Sequence, residues 1–288
     1  MRSIGLIPAF VGKFLGNQEI PRVVTDVKEI GSMLSYDQAT IESLLHIDRG
    51  PKEGNMTTFG LETVVKNTEA YCLTSSGLKV SKERIGVVDL EAKAAHPVRV
   101  LQPLFLEIDA DWDKTPYVSG EGNNILGNNG RLTLPDSEIE VPAMDATEDA
   151  LAYYGATLIR PGDIVRFPNE EFPIWKMEVG PRYVNDFLMT VEGGGFYLEY
   201  HTDRPHFHML REGSGHYLLA KWNADHTKLQ MTAFRIPEGH AVYTKMGGIH
   251  CDAALIGKDL AVGYTTSENC STVLLRDPKD RYVNIHFK

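Results

Sequence analysis

Histidines are concentrated in one part of this 288-residue chain, where seven of the ten fall between His201 and His250. The densest stretch reads YHTDRPHFHMLRE, and within it His206 and His208 are separated by a single residue. Alternate residues of a strand point to the same face, so a strand here would present both imidazoles together. Two imidazoles on one rigid face can chelate a metal ion, although a solvent-facing strand would show the same spacing.

Further ligand types occur at spacings that fit the same site. Glu212 lies four residues beyond His208, an even offset that keeps its carboxylate on the same face of a regular strand. His250 follows 42 residues after His208, which leaves room for the chain to form two or three strands and return. For this last ligand, His240 and Asp252 remain alternatives. The predicted metal ligands are His206, His208, Glu212 and His250.

The segment before the histidine pair carries side chains suited to proton transfer. Tyr197, Glu199 and His201 alternate along the chain, so they share one face of a regular strand. A carboxylate or imidazole of tuned pKa beside a metal can move a proton to or from a substrate. We therefore expect these three residues to be catalytic neighbours of the metal rather than its ligands.

The elements that must position these residues are predicted to be strands. After Gly155 the chain consists of runs of about five to eight residues, separated by turn-forming sequences such as PGD, GGG, REGSG and PEG. Short strands at regular spacing are typical of an antiparallel sandwich or barrel. The segment DATEDALAYYG is predicted to be a short helix with a capping pattern at Asp145 and Glu148 and a stop at Gly155.

The N-terminal part of the chain has a mixed pattern. Helix signals follow Thr25 and end at Gly50, whereas FGLETVV and EAYCLTSSGLKV alternate like strands. We therefore predict a mixed α/β region over residues 1–140 that packs on a β-barrel domain over residues 141–288. Apolar runs near the C-terminus, such as STVLLR, favour pairing with a second copy, so a homodimer is one expectation.

These motifs resemble those of a known superfamily. The run HFH with Glu212, followed by the IPEG turn at residues 236–239 and then His250, resembles the two-part motif of the cupins. Within that superfamily, EYHTDRPHFH is similar to a run in the cupin-type sugar-phosphate isomerases. The second motif departs from the family pattern, which usually places its histidine three residues after the glycine. Here His240 follows Gly239 at once, and His250 comes eleven residues after it.

The resemblance spans about residues 190–265 and carries implications for fold and cofactor. It implies a mainly β protein: a cupin-like antiparallel β-sandwich or barrel (a double-stranded β-helix) with an α-containing N-terminal region. It also implies a divalent metal ion inside the barrel, with Fe, Mn, Zn and Ni all open.

The composition argues against several classes of partner. A formal net charge of -10, without any Lys/Arg-rich run, makes nucleic acid an unsuitable partner. No stretch approaches the roughly 20 apolar residues of a membrane span. Three scattered cysteines do not form a disulfide framework, and the N-terminus lacks a cleavage pattern, so a cytoplasmic location is expected.

Three functions are consistent with these features. The first is a metal-dependent isomerase or epimerase that acts on a small polar carbonyl, sugar-like or hydroxy-acid substrate through a metal-stabilised enediolate. The second is a non-haem Fe(II) dioxygenase, because histidines and a carboxylate on iron leave positions open for O₂. The third is a non-enzymatic cupin that binds a ligand or forms oligomers.

Overall fold

The computed structural model describes residues 48–49, 56–115, 117, 128–168, 171–191, 193–262 and 270–288. Strands make up 54% of the structure and helices 10%, which confirms the mainly β class predicted from the alternating runs. The helices predicted after Thr25 lie outside the described residues, apart from Asp48–Arg49, which form a short strand.

The strands of the described residues are, in chain order, β1 (Asp48–Arg49), β2 (Met56–Lys66), β3 (Ala70–Thr74), β4 (Gly77–Ser81), β5 (Val88–Asp89), β6 (Leu106–Asp109), β7 (Asp111–Asp113), β8 (Asn128–Thr133), β9 (Glu138–Val141), β10 (Ala143–Asp145), β11 (Ala156–Ile159), β12 (Ile164–Arg166), β13 (Glu171–Val179), β14 (Tyr197–His201), β15 (His206–Trp222), β16 (Lys228–Arg235), β17 (Ala241–Thr244), β18 (Ile249–Val262), β19 (Cys270–Arg276) and β20 (Asn284–Phe287). The same residues contain the helices α1 (Leu90–Ala95) and α2 (Glu148–Leu151), a 3-10 turn (Ala152–Tyr154) and a π-helical turn (Val184–Leu188).

Fourteen of the described strands belong to one sheet that curls into a half-barrel. One path through this sheet runs β1-β2-β13-β18-β14-β19-β8-β7, and β15 connects β18 to the remaining strands β16, β17, β11, β10 and β6. Strands β4-β3-β12-β5 form a separate sheet, and β9 pairs with β20 in parallel. This arrangement is compatible with a barrel-like fold, while the cupin-specific sandwich stays a prediction.

Strands β15 and β18 are longer than the sequence pattern predicts. The pattern places a turn at REGSG, but residues 211–215 continue β15 and pair with β18. Gly213, Gly215 and Gly257 adopt φ of 131°, 132° and 141°, where a side chain is strained. A Cβ at any of the three would overlap a carbonyl of the facing strand. The glycines therefore allow two backbones to approach and bend, instead of reversing the chain.

The segment VNDFLMTV also differs from its predicted strand. It contains the π-helical turn at Val184–Leu188, in which Phe187 and Leu188 are buried. The chain leaves β13 at Gly180, whose carbonyl accepts from the Tyr183 amide at 3.0 Å. This tight turn bends the backbone before Val184, and the apolar residues that follow pack in a helical turn instead of a strand.

The curl of the sheet brings distant points of one ladder together. His208 lies opposite Ala261, whereas His250 lies opposite Leu219. Thirteen residues separate His206 from Leu219, which corresponds to about 40 Å along a flat strand. The ring centroids of His206 and His250 are nevertheless 4.1 Å apart. The β15–β18 ladder must therefore bend back on itself around these histidines.

The predicted short helix is present at α2, with a different cap from the one expected. The Thr147 side chain, rather than that of Asp145, accepts from the Ala150 amide at 3.4 Å. Gly155 ends the following turn with a φ of 70°, a left-handed conformation that favours glycine.

Strands from both sides of residue 140 belong to the main sheet. β2 pairs with β13, and β8 pairs in parallel with β19. The boundary between residues 1–140 and 141–288 stays a prediction. In the part of the chain that the structure describes, no helix has the length and apolar character needed to cross a membrane.

We expect Gly257→Ala to destabilise the curled ladder. The added Cβ would meet the Glu212 carbonyl and would sit at a positive φ, so the free energy of unfolding should fall by about 3 kcal/mol. Gly86→Ala is the matched control, because Gly86 has a φ of 75° with open space around its Cβ position, and its loss should be about 1 kcal/mol. Urea unfolding of both variants measures the difference, and equal losses would contradict the role given to Gly257.

Candidate metal centre

Most residues of the predicted site lie close together on three strands, β14, β15 and β18. β14 pairs with β18 at Glu199 and His250, and β15 begins at His206 directly after the loop that follows β14. Along β15, Phe207 and Met209 pack into an apolar cluster on one face. His206 and His208 consequently point to the opposite face, as strand alternation predicts.

One group of four side chains offers ligand atoms that all lie within 4.8 Å of one another. The Glu199 Oε1 atom is 3.3 Å from His250 Nε2 and 3.8 Å from His201 Nε2. The rings of His206 and His250 stack, and the three histidines are buried. The first group consists of Glu199, His201, His206 and His250.

A second group adjoins the first and shares His206 with it. Asp252 Oδ2 lies 3.3 Å from His208 Nδ1 and 3.7 Å from His206 Nε2. Ligand atoms of these three residues also lie within 4.8 Å of one another. The second group consists of His206, His208 and Asp252.

The chemistry of this cluster fits a cation. Within the described residues, both ring nitrogens of His206 and of His208, and Nε2 of His250, are buried without a hydrogen-bond partner. Buried polar atoms are costly when they are unpaired, so such a set is rare in a folded protein. Imidazole nitrogens and carboxylate oxygens are common ligands of divalent transition metals.

Hydrogen bonds outside the cluster orient its members. His250 Nδ1 donates to the Gly248 carbonyl at 3.0 Å, which leaves Nε2 with the lone pair that faces Glu199. The other Glu199 oxygen accepts from Thr272 Oγ1 at 3.3 Å. Asp252 is held by the Tyr197 hydroxyl, which donates to its Oδ1 at 2.5 Å.

The two carboxylates are stabilised in their ionised form. Burial by itself raises the pKa of Glu199, but the adjacent His201 and His250 lower it by more, so its pKa lies well below the ordinary value. The pKa of Asp252 is low for a similar reason: burial raises it, and His208 lowers it by more. Both side chains therefore offer anionic oxygens to a cation at neutral pH.

The two histidines of β15 differ in their electrostatic surroundings. Burial lowers the pKa of His206 well below its usual value, and the nearby His250 adds to this effect. His206 is therefore a neutral imidazole at neutral pH. Burial also lowers the pKa of His208, but Asp252 and Asp259 raise it to about 9. A metal that binds His208 must displace this proton.

The structure places one predicted ligand, Glu212, and one alternative, His240, away from the cluster. The Glu212 carboxylate is exposed and pairs with Lys258 Nζ at 2.8 Å. The even-offset argument is wrong here because the pairing of β15 with β18 shifts register between Leu210 and Glu212, which reverses the alternation. His240, an alternative for the last ligand, lies in the turn after Gly239 and contacts the Glu238 carbonyl.

Some residues lie in or beside the cluster at positions that the sequence spacing did not predict. Glu199 and His201, predicted as catalytic neighbours, lie in the first group with His206 and His250, while Tyr197 contacts Asp252. Asp259 was missed altogether. It is fully buried in β18, and its Oδ2 lies 3.6 Å from His208 Nε2. In the sequence, the signal for this residue was a charged side chain directly before the apolar residues 260–262.

No protein-family model matches this chain, and no curated protein matches its sequence. The structure is loosely compatible with the cupin resemblance, because it is mostly β, with a curled sheet and a buried cluster that could bind metal.

We expect the untagged protein to retain a divalent transition metal and His206→Ala to lose it. His206 belongs to both groups, so its removal takes a donor from each. Elemental analysis after dialysis measures the metal content. A thermal shift on metal addition should be large for the wild type and absent for the variant.

His240→Ala is the matched control for this experiment. It also removes one histidine near the β15–β18 ladder, but its ring lies outside both groups and contacts the Glu238 carbonyl. It should therefore keep the metal. Retention of the metal by His206→Ala would show that the ion binds elsewhere.

Proposed function

We propose that this protein is a divalent-metal-dependent isomerase or epimerase that acts on a small polar carbonyl, sugar-like or hydroxy-acid substrate. The observation that carries the proposal is the first group, in which one carboxylate and three histidines face one another while buried nitrogens have no partner among the described residues. Such a donor set holds a cation firmly and leaves positions for a substrate.

In this proposal the cation is held by the first group. Glu199 and His201 thus become ligands, together with His206 and His250. A bound divalent cation would polarise a substrate carbonyl and stabilise the enediolate that forms when a neighbouring proton is removed.

Proton transfer is assigned to Asp252 of the second group. Asp252 carries a carboxylate that can accept a proton from a substrate, and 17% of its side chain is exposed. Tyr197 holds this carboxylate in place, and burial keeps the pKa of Tyr197 well above its usual value, so its hydroxyl stays protonated. The pair therefore combines a proton acceptor with a fixed hydrogen-bond donor.

The second candidate is a non-haem Fe(II) dioxygenase. The specific observation in its favour is the second group, because His206, His208 and Asp252 form a two-histidine, one-carboxylate set. This set is typical of non-haem Fe(II) oxygenases. The two candidates differ in their need for O₂, which isomerisation does not consume.

The expected result for the isomerase is hydrogen exchange without oxygen. The metal-loaded protein is incubated anaerobically in D₂O with a panel of aldoses, ketoses, their phosphates and 2-hydroxy acids. Enediolate formation should introduce deuterium at the carbon next to the carbonyl, which NMR detects. Asp252→Asn should lower the exchange rate by about 10²- to 10⁴-fold, since it removes the proton acceptor.

Glu212→Gln is the control, because it removes an exposed carboxylate of the same ladder that pairs only with Lys258 in the described contacts. It should exchange at the wild-type rate. Oxygen consumption by the iron-loaded protein, with no anaerobic exchange, would favour the dioxygenase. Neither activity from a metal-loaded sample would favour a non-enzymatic, ligand-binding or oligomer-forming protein.

A further inference from the structure

The second group contains donors that the first group does not use. His206 is shared, and each of its two ring nitrogens is buried without a hydrogen-bond partner among the described residues. A neutral imidazole has a lone pair on one nitrogen and a proton on the other, so His206 would serve both groups as an imidazolate, releasing its ring proton to solvent when the second cation binds. Asp252 Oδ2 and His208 Nδ1 face each other at 3.3 Å, and neither residue belongs to the first group.

Asp259 places His208 in a suitable orientation for a cation. It is fully buried, and neither of its oxygens has a hydrogen-bond partner within the described chain. Its Oδ2 faces His208 Nε2 at 3.6 Å, behind the ring as seen from Asp252. A carboxylate behind an imidazole directs the lone pair of the other nitrogen toward a metal.

The same construction occurs in the first group. There the Gly248 carbonyl accepts from His250 Nδ1, and His250 Nε2 faces the Glu199 carboxylate at 3.3 Å. In both groups, therefore, one ring nitrogen points to an oxygen at the rear and the other points to a carboxylate in front. Two separate places in the cluster are built to hold a cation.

We propose that a second divalent cation binds between His208 and Asp252, shares His206 with the first, and inhibits the enzyme when it is bound. The proposal rests on the proposed function, because Asp252 is the assigned proton acceptor and a cation on its Oδ2 would occupy it. The second site has three donors against four in the first, so it binds more weakly. The protein is thus active with one cation and inhibited by excess metal.

The test is a Co²⁺ titration of the metal-free, untagged protein, followed by absorption spectroscopy and by elemental analysis after gel filtration at each loading. The wild type should bind two equivalents in two phases, a tight one followed by a weaker one. Asp252→Asn should lose the second phase and keep the first, and the retained first phase shows that the variant is folded. Asp259→Asn should weaken the second phase by about 10- to 100-fold.

Two further variants complete the design. His201→Ala should weaken the first phase, since His201 belongs to the first group alone. Glu212→Gln should bind both equivalents like the wild type. A deuterium-exchange assay at one and at two equivalents then reports inhibition.

The outcomes separate the two proposals. A wild type that binds a single equivalent overturns the second site and leaves the proposed function intact. Two equivalents in both Asp252→Asn and Asp259→Asn also overturn it, because the second ion then binds elsewhere. Full exchange activity at two equivalents overturns the inhibitory role. No Co²⁺ binding at all overturns this site and the proposed function together.

Discussion

The curvature of the β15–β18 ladder is the constraint on which the rest of the structure depends. In a flat sheet the start of β15 and the start of β18 would lie at opposite ends of the ladder, and His206 would never meet His250. Glycines on both strands allow the backbones to approach closely where the ladder bends. The candidate metal centre is therefore a product of strand geometry, and its side chains lie on strands rather than on loops.

Because the site depends on this curvature, only some of its residues could be predicted from the sequence. Alternation over a short distance correctly placed His206 and His208 on one face, opposite Phe207. The same argument failed for Glu212, because a register shift intervenes after Leu210 and alternation is preserved only along a regular strand. Strand alternation therefore predicts which face a side chain occupies over one pleat. It no longer does so after the first irregularity in the strand pairing.

Contacts between distant segments were harder to predict for a different reason. The mainly β class follows from the runs between turn sequences, but REGSG has the composition of a turn and forms part of a strand instead. The meeting of Glu199 with His250 and of His208 with Asp259 depends on sheet order and curl, which composition does not encode. Asp252 could be named only as an alternative, since its role depends on the same long-range pairing.

Buried charge links the metal to the stability of the fold. The cluster contains three carboxylates, those of Glu199, Asp252 and Asp259, and burial penalises each ionised form. A bound cation would offset these charges, and its candidate ligands lie on β14, β15 and β18, which come together only in the folded chain. Metal binding would therefore favour the folded state over the unfolded one. The curl of the sheet brings these side chains together, and a cation bound by them would in turn hold the three strands in that curl.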